Sequence, residues 1–200
     1  VGCSFKTTAI ELREKLAFDG NKAAAALEGI ESRFGCEAAI LSTCNRVEMY
    51  LARPDEPFRL DADLLAEFLG EFHGLPAAVV RPILYEQRQE PAVHHLFRVT
   101  ASLDSLIVGE GQIAGQVKRC YDQAHELGAA GPVLHALFQH ASAAAKRVRT
   151  ETGIARGHVS VSSVAVDYVR QVFERFDDKT ILVIGAGKMG ELTLRHLRDL

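Results

Sequence analysis

Residues 38–51, which read AAILSTCNRVEMYL, decide the fold of the first part of the chain. The apolar run at 38–41 is typical of a buried strand, and residues 47–51 alternate with period two, as a half-buried strand does. The polar residues between the two runs place Cys44 where one strand ends and the next begins. A turn at a strand end exposes a side chain at a rigid position, so the sequence predicts a small sheet with an accessible cysteine.

Further strands and helices alternate around this pair of strands. The predicted elements are strands at 1–5 and 83–85, helices at 10–18, 22–34 and 60–73, and a loop at 54–57. Strands interleaved with helices around a small antiparallel sheet indicate an α+β domain of ferredoxin-like type.

From Glu90 onwards the pattern is almost wholly helical. Pro91 suits a first helical position. The next two helices should bury the apolar positions Ile113, Val117, Cys120, Tyr121 and Ala124, then Leu134, Leu137, Phe138, Ala141, Ala145 and Val148. A continuous apolar stripe over 161–176 predicts one more helix of about 18 residues and ~27 Å, a rigid strut between domains.

The end of the chain carries a dinucleotide signal. Residues 180–184 read as a buried strand, followed directly by GAGKMG at 185–190 and a helical pattern. In such a GxGxxG turn the first glycine permits a tight turn, the second lets the backbone approach a pyrophosphate, and the third allows close helix–strand packing. The predicted cofactor-binding residues are Gly185, Ala186, Gly187, Lys188, Met189 and Gly190. A glycine-rich turn without a ligand is the alternative.

These patterns divide the chain into a catalytic domain at 1–156, a linker helix at 157–178 and the start of a dinucleotide-binding α/β domain at 179–200. The residue that chooses between NAD and NADP lies about 20 positions after such a turn. The chain stops sooner, so we expect this chain by itself to bind the cofactor poorly.

Composition sets the broad class. With 48% hydrophobic and 24% charged residues, the chain has an ordinary globular composition. A net charge of −3 limits nucleic-acid binding to a local basic patch. No segment approaches the roughly 20 apolar residues of a membrane span. Four cysteines without a CxxC pair or a secretion signal predict free thiols in the cytosol, and no ligand spacing predicts a metal.

Cys44 and Arg46 form the candidate chemical centre. Two residues apart, they share a face if the chain is extended, and a nearby guanidinium favours the nucleophilic thiolate or holds a carboxylate. A core cysteine beside a surface arginine is equally consistent with this segment alone. The pairing with a dinucleotide turn favours chemistry, because a thiolate can form a thioester that a hydride then reduces to an aldehyde.

Several segments, in order, resemble the glutamyl-tRNA reductase family. They are LSTCNRVE at 41–48, SLDSLIVGEGQI at 102–113, QVK at 116–118, KRVRTET at 146–152 and VSVSS at 159–163. The resemblance covers essentially the whole chain, and several motifs in order are more specific than one. The chain departs from the family pattern at Phe5, where histidine is usual, at Ser102, where glycine is usual, and at Gly111, where many bacterial members have proline.

The resemblance implies an NADPH-dependent oxidoreductase that converts glutamyl-tRNA to glutamate-1-semialdehyde through a Cys44 thioester, the first committed step of tetrapyrrole (5-aminolevulinate, porphyrin) synthesis. Cys44 would be the nucleophile and His95 the histidine important for activity, although a shift of one position would exchange His95 for His94. Helical phase separately places His95 off the apolar stripe of its helix. The implied substrate-binding residues are Thr43, Asn45, Arg46, Ser105, Glu110, Gly111, Gln112 and Gln116.

The resemblance also implies partners. These are glutamyl-tRNA, a second copy joined through a C-terminal domain, and the downstream aminomutase. The implied location is the cytoplasm or, in a photosynthetic eukaryote, the plastid stroma, and no membrane is implied. We expect the chain by itself to be monomeric and to transfer the acyl group but reduce it poorly. The candidate contacts for tRNA phosphates are Lys118, Arg119, Lys146, Arg147 and Arg149, for which a merely solvated face is the alternative.

Two other functions stay open at this point. One is a tRNA- or nucleotide-binding relative without catalysis, and the other is a dehydrogenase unrelated to tRNA. The presence of Cys44 together with Arg46 favours the enzyme over both.

Overall fold

A computed structural model describes residues 1–53, 60–155, 160–173, 175–176, 178–185 and 187–198. The loop predicted at 54–57 and Ala186 lie outside the described residues.

A three-stranded antiparallel sheet lies at the centre of the first part of the chain. Its strands are β1 (Gly2–Ser4), β2 (Glu37–Ser42) and β3 (Arg46–Ala52), in the order β1-β3-β2. The β2–β3 pairing runs from Glu37 opposite Ala52 to Ser42 opposite Val47, which leaves Cys44 in the connecting turn. The predicted pair of strands around an accessible turn is confirmed.

The strand predicted at 83–85 is wrong. Residues Arg81–Ile83 form a 3-10 turn, and Tyr85 makes only an isolated bridge to Gly2 at the outer edge of β1. Pro82 explains the turn, because its fixed φ and missing N–H suit the start of a helical segment. The element order therefore follows the β-α-β-β-α-β pattern of ferredoxin-like folds with its last strand reduced to one residue pair.

Helices cover the sheet. They are α1 (Ile10–Lys15), α2 (Gly20–Phe34), α3 (Ala62–His73), α4 (Ala77–Val80), α5 (Glu90–Thr100), α6 (Gln112–Glu126) and α7 (Pro132–Glu151). The side chains that α6 buries are the five predicted from the spacing. Those that α7 buries are Leu134, Phe138, Ala141 and Ala145. Both helices pack on the β2–β3 side of the sheet, which fixes the position of the turn that carries Cys44.

The predicted 18-residue strut is wrong in length and in its buried face. Helix α8 (Val161–Val172) has 12 residues, because Phe173 is extended and ends it. Its buried side chains are Ser162, Ser163 and Val166, whereas most of the apolar stripe, including Tyr168, is exposed. Helix α9 (Lys188–Arg198) packs against α8, and this contact selects the face that is buried.

The buried strand predicted at 180–184 is also wrong. No ladder partner for this segment exists among the described residues, and Leu182 and Ile184 are 81% and 91% exposed. A buried parallel strand depends on neighbours on both sides and on helices over both faces. The apolar residues of this segment favour burial in a sheet, but no neighbouring strand in the described part of the chain provides it. Within that part, no helix is long and apolar enough to cross a membrane.

Candidate active site

The turn between β2 and β3 holds Cys44 by backbone hydrogen bonds. Thr43 Oγ1 accepts the backbone N–H groups of Asn45 and Arg46, each at 3.1 Å. The Thr43 N–H donates to the Arg46 carbonyl at 2.8 Å, and the Phe5 N–H donates to the Asn45 carbonyl at 2.8 Å. Side chains of this kind favour a tight turn because they replace the missing ladder bonds. The Cys44 side chain is left exposed on a rigid base.

Arg13 supports the same turn from helix α1. Its Nε donates to the Cys44 carbonyl at 2.9 Å and its Nη1 to the Thr8 carbonyl at 2.7 Å. The side chain is buried. Sequence reasoning missed this residue, because an arginine 31 positions before the turn carries no local signal of the contact.

Cys44 is the one exposed thiol of the four. The other three, Cys3, Cys36 and Cys120, are buried, and none of the four forms a disulfide. Burial raises the pKa of Cys36 to about 11 and also raises the pKa of Cys3 and Cys120. Access therefore directs thiol chemistry to Cys44, and burial makes the other three thiols poor nucleophiles.

A cluster of buried and half-buried polar side chains, here called the Glu48 cluster, lies beside the turn. Its members are Arg46, Glu48, Tyr50, Tyr85 and His95. Arg46 Nη1 donates to Glu48 Oε1 at 2.7 Å, Tyr50 donates to Oε2 at 2.5 Å, and His95 Nε2 lies 2.8 Å from Oε1. Tyr85 also donates to Oε1. The Arg46 and Glu48 side chains are each only 2% exposed.

The carboxyl of Glu48 is held in its ionised form. Burial by itself would raise its pKa, but the hydrogen bond from His95 and the charge of Arg46 outweigh burial and lower the pKa to about 2. A buried carboxylate with donors on both oxygens is satisfied, and the pair with Arg46 leaves no net charge in the interior.

Arg46 also binds the segment that follows α5. Its Nη2 donates to the Asp104 carbonyl and lies 3.4 Å from the Asp104 carboxylate, which Lys6 contacts at 2.8 Å. Burial of Asp104 is outweighed by Lys6 and Arg46, and its pKa is lowered. The guanidinium is thus engaged on two sides, and it is buried rather than free on the surface.

At two of the three departures from the family pattern, the observed backbone suits the residue that is usual in the family. Ser102 has φ of 61°, a conformation in which glycine is free of strain, and its side chain is buried. Gly111 has φ of −75°, a value that proline adopts readily. The family's glycine and proline therefore suit the backbone observed at these two positions.

The remaining predicted substrate residues lie around the 102–112 segment and the start of α6. Ser105 and Glu110 are half-buried, and burial raises the pKa of Glu110. Gln112 is exposed, and Gln116 lines a cavity of about 290 Å³ beside Ser42. Among the described contacts, no hydrogen bond joins Ser105, Glu110 or Gln112 to the Cys44 turn. The structure brings the segment to the turn through Asp104 instead.

His95 and His94 occupy different environments. His95 is 19% exposed and contacts Glu48, whereas His94 is exposed. Both line a groove of about 640 Å³ along α5, together with Gln87, Glu90, Pro91 and Arg98.

Three of the five basic residues predicted to contact tRNA phosphates form hydrogen bonds or ion pairs within the chain. Lys118 pairs with Asp122 at 2.5 Å and Arg147 with Glu151 at 3.1 Å, both on exposed helix faces. Arg149 donates to the Gly109 carbonyl at 3.2 Å. Exposed pairs of this kind are weak, so the two pairs do not prevent a phosphate contact.

The three glycines of the 185–190 segment differ in their surroundings. Gly185 has φ of 114°, and a Cβ at Gly187 would meet open space. A Cβ at Gly190 would approach the Gly185 carbonyl oxygen to 2.5 Å, so only glycine allows this helix–turn contact. Helix α9 begins at Lys188, which places its N-terminus at the turn. In the part of the chain that is described, no cluster of three or more His, Cys, Asp or Glu side chains is arranged to hold a metal.

Comparison with known proteins identifies two regions of the chain. Residues 1–152 match the family model described as glutamyl-tRNAGlu reductase, N-terminal domain, and residues 167–199 match the model of shikimate / quinate 5-dehydrogenase. A glutamyl-tRNA reductase of Syntrophotalea carbinolica is 46% identical over 198 residues, which cover 98% of this chain and 44% of that protein. The protein of the same name from Geobacter sulfurreducens is 46% identical over 199 residues, covering 98% and 45%.

A solved structure gives the same result. Glutamyl-tRNA reductase from Methanopyrus kandleri superposes with a TM-score of 0.67 at 35% identity, covering 99% of this chain and 45% of that one. The chain thus spans slightly less than half the length of these relatives. With its first 152 residues matched by the family model, the chain belongs to the glutamyl-tRNA reductase family.

Proposed function

We propose that the chain carries the acyl-transfer centre of a glutamyl-tRNA reductase. The Cys44 sulfur attacks the ester carbonyl that joins the glutamyl group to the tRNA ribose. A C–S bond forms, the ester C–O bond breaks, and the ribose oxygen leaves with the proton lost by the thiol. The product is a Cys44 thioester and free tRNA.

The observation that carries this proposal is the contrast among the four thiols. Only Cys44 is exposed, and it stands on a turn fixed by Thr43, Arg13 and Phe5. A rigid, accessible thiol is suited to attack a bulky ester, because a positioned nucleophile reacts without first being ordered.

Positions for the glutamyl group follow from the same geometry. Its side-chain carboxylate would meet the Nη2 edge of Arg46 in place of Asp104, which now occupies that edge together with Lys6, so binding at Arg46 requires Asp104 to move away. Thr43 and Asn45 would border the acyl group at the turn. The other proposed pocket residues are Ser105, Glu110, Gly111, Gln112 and Gln116.

In the whole protein the thioester would be reduced to glutamate-1-semialdehyde, the first committed step of tetrapyrrole synthesis. NADPH, when bound, supplies the hydride for this reduction. Gly185, Gly187, Gly190 and the N-terminus of α9 would hold its pyrophosphate. The division at 1–156, 157–178 and 179–200 stays part of this proposal: the match at 1–152 ends near its first boundary, whereas the match at 167–199 begins inside the proposed linker helix. The cytoplasmic location, the homodimer and the aminomutase contact are proposed from the family alone.

The test is the discharge of glutamyl-tRNA. The chain is mixed with charged tRNA in single-turnover conditions, and charged and free tRNA are separated on an acidic gel. We expect discharge by the wild type and by Cys36→Ser, whose thiol is buried, and no discharge above background by Cys44→Ser. Glutaminyl-tRNA should be discharged poorly. Equal discharge by Cys44→Ser would overturn the proposal, and tight tRNA binding without discharge by the wild type would favour a non-catalytic relative.

A further inference from the structure

His95 lies between the Glu48 cluster and the groove along α5. One edge of its ring, Nε2, contacts the buried Glu48 carboxylate at 2.8 Å. The same residue lines the groove along α5. Tyr85 packs edge-on against the ring, with centroids 5.5 Å apart, and so limits its rotation. The orientation of His95 is therefore set by the interior and not by solvent.

The contacts of Glu48 decide which ring nitrogen carries the proton. Its four polar neighbours include Arg46, Tyr50 and Tyr85, each of which donates. An ionised carboxylate only accepts hydrogen bonds, so the fourth neighbour, His95 Nε2, must also donate. In a neutral imidazole the other nitrogen, Nδ1, is then unprotonated.

The opposite ring orientation is disfavoured by the same contacts. Rotating the imidazole by half a turn would place a carbon atom against a buried carboxylate and remove one of its hydrogen bonds. Loss of a hydrogen bond to a buried charged group is unfavourable. Among the described residues, Nδ1 has no hydrogen-bond partner.

We propose that Glu48 is a positioning residue that fixes His95 as its Nε2–H tautomer and presents the unprotonated Nδ1 to the α5 groove, as an acceptor for a hydroxyl of the aminoacylated ribose. The ribose as the ligand rests on the proposed function, whereas the tautomer does not. His94, on the same groove, makes no side-chain hydrogen bond with any residue that the structure describes. Glu48 acts through His95 and Arg46 and does not itself touch the substrate.

The first test is the nitrogen NMR spectrum of the chain labelled with ¹⁵N-histidine, recorded above neutral pH. His95→Gln identifies the His95 signals by their loss, and His94→Gln is the matched control. We expect a protonated Nε2 and an unprotonated Nδ1 at His95 in the wild type. A protonated Nδ1 would overturn the proposal, and this measurement needs neither activity nor a variant of Glu48.

The second test compares Glu48→Gln with Tyr50→Phe. Tyr50→Phe leaves the oxygen that His95 contacts unchanged, so the single tautomer should persist. Glu48→Gln replaces the carboxylate by an amide that can also donate, so His95 should become a mixture of tautomers. An unchanged His95 spectrum in a folded Glu48→Gln protein would overturn the positioning role. If Glu48→Gln does not fold, the wild-type spectrum still shows whether His95 is the Nε2–H tautomer that the proposal requires.

A kinetic measurement separates this inference from the proposed function. In single-turnover discharge, His95→Gln should raise the glutamyl-tRNA concentration for half-maximal rate about fivefold, the worth of one neutral hydrogen bond, and His94→Gln should change it little. A wild type that discharges no glutamyl-tRNA would defeat the proposed function while the tautomer result stands. A wild type that discharges normally, with His95→Gln unchanged, would defeat the ribose contact alone.

Discussion

Cys44 and the charged pair of the Glu48 cluster, Arg46 and Glu48, are only a few residues apart on one hairpin, yet they are held in opposite ways. The Cys44 thiol is exposed, and its turn is fixed by hydrogen bonds to the backbone and to Thr43. The charges of Arg46 and Glu48 are almost fully buried and are fixed by each other.

This difference separates reaction from positioning. A nucleophile must be accessible to its substrate, so it is held in place by hydrogen bonds to its backbone and not by contacts that cover its side chain. A charge that orients other groups is most effective away from water, where electrostatic interactions are strong and an unpaired partner is unfavourable. Each of the following experiments disturbs one side of this comparison.

The largest expected effect is in thiol reactivity. Under native conditions Cys44 should react with iodoacetamide about a thousandfold or more faster than Cys3, Cys36 and Cys120, because the buried thiols must first be opened at a cost of several kcal/mol. Peptide mass mapping over time measures each rate. Cys44→Ser should abolish the fast phase alone. Fast labelling of a second cysteine in the folded protein would break the contrast.

The next effect is in stability. Arg46→Gln leaves Glu48 buried without its charge partner and should lower the free energy of unfolding by about 3–5 kcal/mol. Arg147→Gln is the matched control, since Arg147 also pairs with a glutamate but on an exposed helix face. It should change the stability little. Urea unfolding measures both, and equal effects would show that burial does not distinguish the two pairs.

The Glu48 cluster should also make stability depend on acid. The pKa of Glu48 is about 2 in the folded chain, below the usual 4.5. Its contribution is therefore present above about pH 4.5 and is lost as the pH falls towards 2. Asp104, whose pKa is also lowered, acts in the same direction. The urea midpoint at about pH 6, 4 and 3 measures this loss of stability. A midpoint that does not fall would contradict the ionised buried carboxylate.

The smallest effect concerns the segment that brings Asp104 to Arg46. Ser102 opens this segment with a positive φ, so Ser102→Gly should remove strain and raise the free energy of unfolding by up to about 1 kcal/mol. Ser142→Gly, on an exposed face of α7, is the control and should lower it by roughly 0.5 kcal/mol. Thermal unfolding compares the two. Destabilisation by Ser102→Gly would show that the lost contacts of the buried serine outweigh the strain.

Sequence patterns correctly predicted one pair of strands and the buried face of one helix. The β2–β3 pair is joined by a short turn, and the apolar spacing of α6 named the five side chains that it buries. The same kind of pattern was wrong at 180–184 and in α8. The spacing of apolar residues shows which face of an element prefers burial, but it does not show which neighbouring element will bury that face.

The candidate site was also predicted only in part, because some of its residues carry a local sequence signal and others do not. Cys44 and the glycine turn carry local signals, and the structure places both on turns. Arg13 and Asp104 carry none, because their contacts with the hairpin join residues 31 and 58 positions apart. The sequence also predicted that Arg46 could share a face with Cys44 and favour its thiolate or hold a carboxylate, whereas its guanidinium is buried between Glu48 and Asp104.

The most direct test of the central claim, that Cys44 receives the glutamyl group, is intact-mass spectrometry of the chain after mixing with glutamyl-tRNA and no cofactor. The Cys44→Ser and Cys36→Ser variants are measured in parallel. We predict one glutamyl adduct on the wild type and on Cys36→Ser, removed by hydroxylamine as a thioester should be, and none on Cys44→Ser. An adduct that persists on Cys44→Ser, or no adduct on folded wild type with intact substrate, would contradict the account.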